Sequence, residues 1–386
     1  MPFTAYRVYI EDGKPVGRIE TLDENSLPDG ELTIAVTHSS VNYKDALSAR
    51  GRPGVTRRYP HIPGIDAVGR VIAVNEQPHH EQPASHKTDD GRQADDQAAV
   101  GHRSTAQATG AGLASTARPA GGHASAGPAT HRFSPGDRVI VTGFDFGVNT
   151  PGGFGSMIRV PADWAIPLPE RLSPLDAMRF GTAGFTAGLS LLEIERSGVE
   201  PGSRPVLVTG SCGGVGSVAI GVLHAAGFTV HAATRSPEES GERLRSIGAD
   251  EVVATDVLVG DSEKALAKGQ WAAAIDTVGG SVLSGALAGL QRAGVATACG
   301  LVGGSRFNAS VMPFILRGVR LVGIDSAYAS RADRSEVWSR LAGPWRPEAL
   351  AAMSSEVELD GINAVVDLLL DGKHRGRTVV THGGNS

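Results

Sequence analysis

The spacing of apolar positions changes character once along the chain. Before residue 173 the apolar runs are short and bounded by Gly and Pro: 33–36, 68–74, 138–141 and 157–160 read as strands. At Ser173-Pro174 a helix start is legible, with Ser as N-cap and Pro in the first helical position. Beyond it, period-2 and period-3.6 patterns alternate. Strands are predicted at 205–209, 229–234, 251–254, 272–277, 295–301 and 319–324, and helices at 215–226, 237–247 and 282–292. Six strands with helices between them predict a doubly wound parallel sheet. After residue 324 come helical stretches at 335–341 and 362–370 and a last strand at 378–381. That strand has no place left in the second sheet, so it is expected to return to the first domain. The chain therefore reads as α/β, with a β-rich domain of residues 1–172 plus 326–386 and a dinucleotide-fold domain of residues 173–325.

One tract fits neither pattern. Residues 77–130 contain only Val100 and Leu113 as large apolar side chains, too few to offset the entropy of ordering, and predict a disordered insertion between two strands. Its histidines, His79, His80, His86, His102 and His123, are irregularly spaced and do not read as a metal site.

Composition narrows the function classes. Of the residues, 41% are hydrophobic and 20% charged, enough for a sizeable core, and glycine is frequent at 51 of 386. There is no apolar run of about 18 residues, so no membrane span is expected. The N-terminus lacks a basic-then-apolar leader pattern, which points to the cytoplasm. Two cysteines, Cys212 and Cys299, make neither a disulfide framework nor a thiolate cluster. A net charge of −5 without a dominant basic stripe argues against a nucleic-acid partner.

The strongest local signal is Gly210-Ser211-Cys212-Gly213-Gly214-Val215-Gly216-Ser217-Val218-Ala219, set between an apolar strand and an apolar helix. A dinucleotide pyrophosphate needs backbone N–H groups at a helix start and glycines that admit close approach, and this context supplies both. The alternative is a tight turn with no ligand. The following strand ends in Thr234-Arg235-Ser236, where an NAD site would carry Asp or Glu. A guanidinium flanked by hydroxyls suits a 2′-phosphate, so NADPH is the expected cofactor, against the alternative of a solvated arginine.

Several blocks then carry a family resemblance: NYKDAL at 42–47, YPHIPGID at 59–66, GTAGFTA at 181–187, AIDTVG at 274–279, ACGL at 298–301, VMPFILR at 311–317 and GIDS at 323–326. Together with the β-rich domain ahead of a dinucleotide fold, they resemble the zinc-free acrylyl-CoA reductase and quinone oxidoreductase branch of the medium-chain dehydrogenase/reductase superfamily. The resemblance covers nearly all the chain except residues 77–130. It implies a GroES-like catalytic domain, a homodimer joined along the edge strand 319–324, and a cofactor contact from Arg377 in GRTVV. Where zinc relatives have Gly-His-Glu, this chain has Gly64-Ile65-Asp66, and its first domain lacks Cys. Catalytic zinc needs three N, S or O ligands, so none is expected here.

Zinc-free reduction of an activated C=C bond needs hydride at the β-carbon, donors for the developing oxyanion and a proton for the α-carbon. A phenol keeps its proton at neutral pH, which makes Tyr43 the candidate acid; the alternative is a core tyrosine with a satisfied hydroxyl. Asn42 is expected to orient substrate or cofactor, and Asp45 to have a structural hydrogen-bonding role. Thr182 and Cys299-Gly300-Leu301 are expected to line the nicotinamide. Arg57, in a cluster with Arg50, Arg52 and Arg58, is the candidate for CoA phosphates, against a solvated basic loop. The expected reaction is acrylyl-CoA to propionyl-CoA. The alternatives are quinone reduction at the same NADPH site and a non-catalytic NADPH-binding sensor or structural protein.

Overall fold

The computed structural model describes residues 1–75 and 133–383; the tract predicted as an insertion lies outside the described residues. Two main sheets organise the chain. The first is parallel, with spatial order Glu251–Ala254, Val230–Thr234, Val206–Val208, Trp271–Asp276, Leu290–Ala298 and Arg320–Gly323. In chain order this is third, second, first, fourth, fifth, sixth. The direction of winding reverses between Val206–Val208 and Trp271–Asp276, where doubly wound sheets open their ligand crevice. The strand Trp271–Asp276 is buried along its whole length, which is why it reads as an uninterrupted apolar run. Helices Gly214–Ala225, Pro237–Ser246, Thr255–Asp261 and Gly280–Gly289 connect these strands.

The helix expected over 282–292 stops at Gly289 and the strand begins at Leu290, earlier than its predicted start at 295. A Cβ at Gly289 would collide with the Trp271 ring, and Leu290 pairs with Trp271, so the chain must turn there. The exposed residues Arg292 and Ala293 sit at an irregularity in the ladder and mask the strand in the sequence.

The other main sheet runs Ser354–Val357, Arg377–Thr381, Leu32–Val41, Asp66–Val74, Arg138–Thr142 and Ala165–Pro167, with Met157–Val160 paired to Leu32–Val41. The last strand does return here, antiparallel to residues 38–41. Several short elements escape the sequence reading, among them the helices Thr255–Asp261 and Met312–Arg317, the strands Ala165–Pro167 and Ser354–Val357, a hairpin and a helix near the site. The hairpin Pro2–Glu11/Lys14–Asp23 turns on Asp12-Gly13, both at positive φ, which is a legible two-residue hairpin signal. The short helix Tyr43–Ala49 carries three of the expected site residues, counting its N-cap Asn42.

Between the sheets runs the helix Pro174–Arg196. Ser173 caps it, its hydroxyl accepting from the Asp176 N–H at 3.0 Å. The helix is interrupted at Gly181, with φ 51° and ψ −156°.

Candidate active site

The break at Gly181 organises one end of the site. It frees the N–H of Thr182, which donates to both oxygens of Asp66 at 2.9 and 3.0 Å, while the Thr182 hydroxyl donates to Oδ1 at 2.6 Å. Asp66 therefore caps the second half of the helix across a gap in sequence, as an N-cap carboxylate would. Gly181 is required twice over. Its φ is left-handed, and a Cβ there would meet Asp66 Oδ2, Ser40 Oγ and Arg377 Nη2.

Asp66 is fully buried and also accepts from Ser40 Oγ at 2.5 Å and Asn42 Nδ2 at 2.8 Å, with Arg377 Nη2 at 3.6 Å. Arg377, 3% exposed, donates to Ser40 Oγ, Asn42 Oδ1 and the carbonyls of Val41 and Arg179. Its guanidinium is committed inside the protein, close behind the glycine turn, where Nη1 lies 3.2 Å from the position of a Cβ on Gly214. Burial pulls Arg377 below the ordinary guanidinium range, with Asp66 and Asp45 acting against it.

Asn42 is buried in the same hub and caps the helix Tyr43–Ala49. Asp45 reaches back to the Asn42 N–H at 2.8 Å and takes the N–H groups of Gly64 and Ile65 on its other oxygen, at 3.1 and 2.9 Å. Burial, then the charge of Asp66, push the Asp45 carboxyl up to about 7, against the pull of those N–H donors. The hub thus fixes the start of the short helix, and with it Tyr43, which is 43% exposed and whose hydroxyl has no hydrogen-bond partner among the described residues.

A pocket beside Thr182 is lined by Ile65, Phe144, Phe146, Ser326 and Lys44. Lys44 was missed in the sequence; nothing in NYKDAL says which of its side chains faces the pocket. Ile65 presents hydrocarbon there, and among the described residues no group of three His, Cys, Asp or Glu side chains is placed to hold a metal.

The other end of the site is the glycine turn. Gly210 has φ 62°, and a Cβ on Gly216 would lie 2.3 Å from the Gly210 carbonyl oxygen, so the helix packs on the turn at backbone distance. Gly213 is the N-cap, and the N–H groups of Gly214, Val215 and Gly216 open the helix, beyond reach of an intrahelical carbonyl. The side chains of Ser211, Ser217, Val218 and Ala219 are buried, with Ser211 Oγ donating to the Val208 carbonyl and Ser217 Oγ to that of Gly213. This turn has only backbone to offer an anion at those positions.

Thr234 is buried at the end of the neighbouring strand and its hydroxyl accepts from the Ser236 N–H. Arg235 is exposed and makes no side-chain hydrogen bond or ion pair among the described residues. Across the crevice, Cys299 donates its N–H to the Asp276 carbonyl at 2.9 Å, and Gly300 packs so closely on Thr277 that a Cβ would overlap its carbonyl. Burial, then Asp276, push the Cys299 thiol up to about 12, so it stays protonated. Leu301 is exposed. Arg57 is exposed in its loop without a partner, whereas Arg50 is held by Asp367 at 2.6 Å.

Comparison with known proteins gives this geometry a family. Residues 28–103 match the alcohol dehydrogenase GroES-like domain and residues 214–343 the zinc-binding dehydrogenase model. The chain is 36% identical over 370 residues to acrylyl-CoA reductase AcuI of Ruegeria pomeroyi, covering 96% of both chains. It belongs to the medium-chain dehydrogenase/reductase superfamily, in the branch of AcuI and YhfP. The yhdH oxidoreductase of Salmonella enterica, solved in complex with NADP, superposes with TM-score 0.81 at 35% identity, covering 99% of this chain and 100% of that one. Bacillus subtilis yhfP, solved with NAD bound, gives 0.83 at 33% identity over 99% and 100%. The chain is thus an NAD(P)-dependent oxidoreductase with a GroES-like domain and a Rossmann-type domain.

The residues present fit such a cofactor. The turn offers N–H groups at a helix start, unpaired guanidinium groups flank it, and the buried Nδ1 of His374 beside it has no hydrogen-bond partner among the described residues.

Proposed function

We propose that the chain reduces the activated C=C bond of a short enoyl-CoA, taking acrylyl-CoA to propionyl-CoA, with NADPH and without catalytic zinc. The observation that carries this reading is the pairing of an N–H-lined glycine turn with a metal-ligand position filled by Ile65, in a chain similar along its length to an acrylyl-CoA reductase. The bound dihydronicotinamide supplies the hydride for the β-carbon. The protein's own part is to hold the acceptor and manage its charge. Tyr43, with a free hydroxyl at the start of a helix pinned by Asp45, donates the proton taken up at the α-carbon. Lys44, lining the pocket beside Thr182, favours negative charge developing on the thioester oxygen. Thr182, Cys299, Gly300 and Leu301 frame the nicotinamide, and Arg57 meets CoA phosphate. The hub of Asp66, Asn42 and Arg377 positions this apparatus without touching the reacting atoms.

NADPH is favoured over NADH because Arg235 stands unpaired at the end of its strand, flanked by Thr234 and Ser236. A second copy of the chain covers the edge strand Arg320–Gly323, around which Val311 (66% exposed), Ile315 (70%) and Leu316 leave an apolar surface. The test is NADPH consumption with acrylyl-CoA and with a soluble quinone side by side. Turnover of acrylyl-CoA with formation of propionyl-CoA supports the reading. Turnover of the quinone alone supports the second reading, which rests on the similarity to YhfP, named as a candidate quinone oxidoreductase.

A further inference from the structure

The C-terminal segment does more than close the second sheet. Before pairing with residues 38–41 it passes over the glycine turn, where the Gly376 N–H donates to the Cys212 carbonyl at 3.0 Å. Gly376 is buried at φ 71°, and a Cβ there would strike the Met353 carbonyl and lie 2.8 Å from Arg243 Nη2. The backbone is therefore fixed at this point, and the guanidinium of Arg243, from the helix Pro237–Ser246, lies against it. Four residues earlier, the position of a Cβ on Gly372 lies 3.9 Å from Arg235 Nη2. Arg375 Nη1 donates to the carbonyls of Gly372 and His374 at 3.0 and 3.1 Å, which brings it to the same stretch of backbone.

Three guanidinium groups thus gather from two sides of the crevice, Arg235 and Arg243 from the six-stranded sheet's connections and Arg375 from the returning segment. None of the three makes an ion pair among the described residues. The nearby acids point elsewhere or stay exposed: Asp371 pairs with Lys373 at 3.1 Å, and Glu238, Glu239 and Glu242 are exposed on the helix. The cluster is felt by His374, driven to about 4 by burial and then by Arg377, Arg243 and Arg375. Its Nε2 meets Thr378 Oγ1 at 2.8 Å, and its Nδ1 is the buried orphan noted above. Like charges assembled without a carboxylate describe a site for an anion, and guanidinium geometry suits a phosphate.

We propose that Arg243 and Arg375 join Arg235 in a two-sided site for a terminal phosphate dianion, so that the ligand's phosphate bridges the C-terminal segment and the dinucleotide-binding domain. The inference rests on the NADPH reading above and goes beyond it: cofactor choice is made partly by residues 372–377, far in sequence from the strand that ordinarily decides it.

The test is calorimetric titration of the intact protein with 2′,5′-ADP and with 5′-AMP, neither of which needs turnover. The wild type is expected to bind 2′,5′-ADP at least about tenfold more tightly than 5′-AMP. Arg375→Gln and Arg243→Gln should each weaken 2′,5′-ADP by about tenfold or more and leave 5′-AMP within about twofold. If Arg235→Gln alone weakens 2′,5′-ADP, the NADPH reading stands and the role of the returning segment is overturned. If the wild type does not distinguish the two nucleotides, the NADPH reading itself fails, and this inference with it.

Discussion

The two ends of the site are held by opposite means. At the glycine turn the chain works by leaving side chains out: Gly216 packs backbone to backbone on Gly210, a Cβ on Gly210 would meet Thr277, and the groups the turn presents are N–H donors. At the Tyr43 end it works by burying charge: Asp45, Asp66 and Arg377 lie below the surface and are tied to Ser40, Asn42 and Thr182. The turn is intolerant of added volume at Gly216. The hub is intolerant of altered charge, because a buried ion left without its partner costs far more than the pair contributes. The two ends of one crevice are therefore held for unrelated reasons and should carry different mutational signatures.

The hub should break hardest. Asp66→Ala strands Arg377 at 3% exposure and removes the acceptor for the Thr182 N–H, and should cost about 3–5 kcal/mol of stability in urea unfolding. Arg377→Met should cost a similar amount, and the double variant less than the sum. Additive losses would show that the two groups are not coupled.

At the turn, volume should matter instead. Gly216→Ala places a Cβ 2.3 Å from the Gly210 oxygen and should lower both stability and cofactor affinity. Gly213→Ala, whose nearest neighbour lies at 3.3 Å and whose φ is −78°, should keep the fold and lose affinity. Thermal unfolding with and without NADPH separates the two, and equal behaviour would remove the distinction.

Tyr43→Phe touches neither framework. It should slow turnover of acrylyl-CoA by about 10²-fold with stability unchanged. A wild-type rate would take Tyr43 out of the proton transfer.

Burial of a neutral group near the C-terminus should show itself through pH. Burial above all holds His382 down at about 4, and its Nε2 meets the Gly153 carbonyl at 2.8 Å. The unfolded chain protonates this group near 6.5. The stability contributed by keeping it neutral is therefore complete above pH 6.5 and is lost as pH falls towards 4. Relative to His382→Gln, the wild type should lose melting temperature across that window and match its own difference at pH 7 and 8.

How much of this could be read in advance follows from how local each feature is. The glycine turn, Thr234-Arg235-Ser236 and the capped helix start at Ser173 are contiguous stretches whose chemistry is complete in the sequence. The hub joins residues 40–45, 66, 181–182 and 377, and no spacing rule connects them. Thr182 and Asn42 were found as residues, but their bonds to Asp66 were not. Arg377 is expected at the cofactor from the family resemblance alone; its bonds to Ser40 and Asn42 join residues more than 330 positions apart. The hairpin of residues 2–23 is legible through Asp12-Gly13, although its second strand alternates with charged residues on an exposed face.

The proposed reaction rests on direct hydride delivery from NADPH to carbon without a metal. It is followed with NADPH carrying deuterium at both C4 positions of the nicotinamide, by tracing label into the product formed from acrylyl-CoA with and without prior treatment with a chelator. Deuterium at the β-carbon of propionyl-CoA and an unchanged rate after chelation are expected. Product without label, or activity abolished by the chelator and restored by zinc, would contradict it.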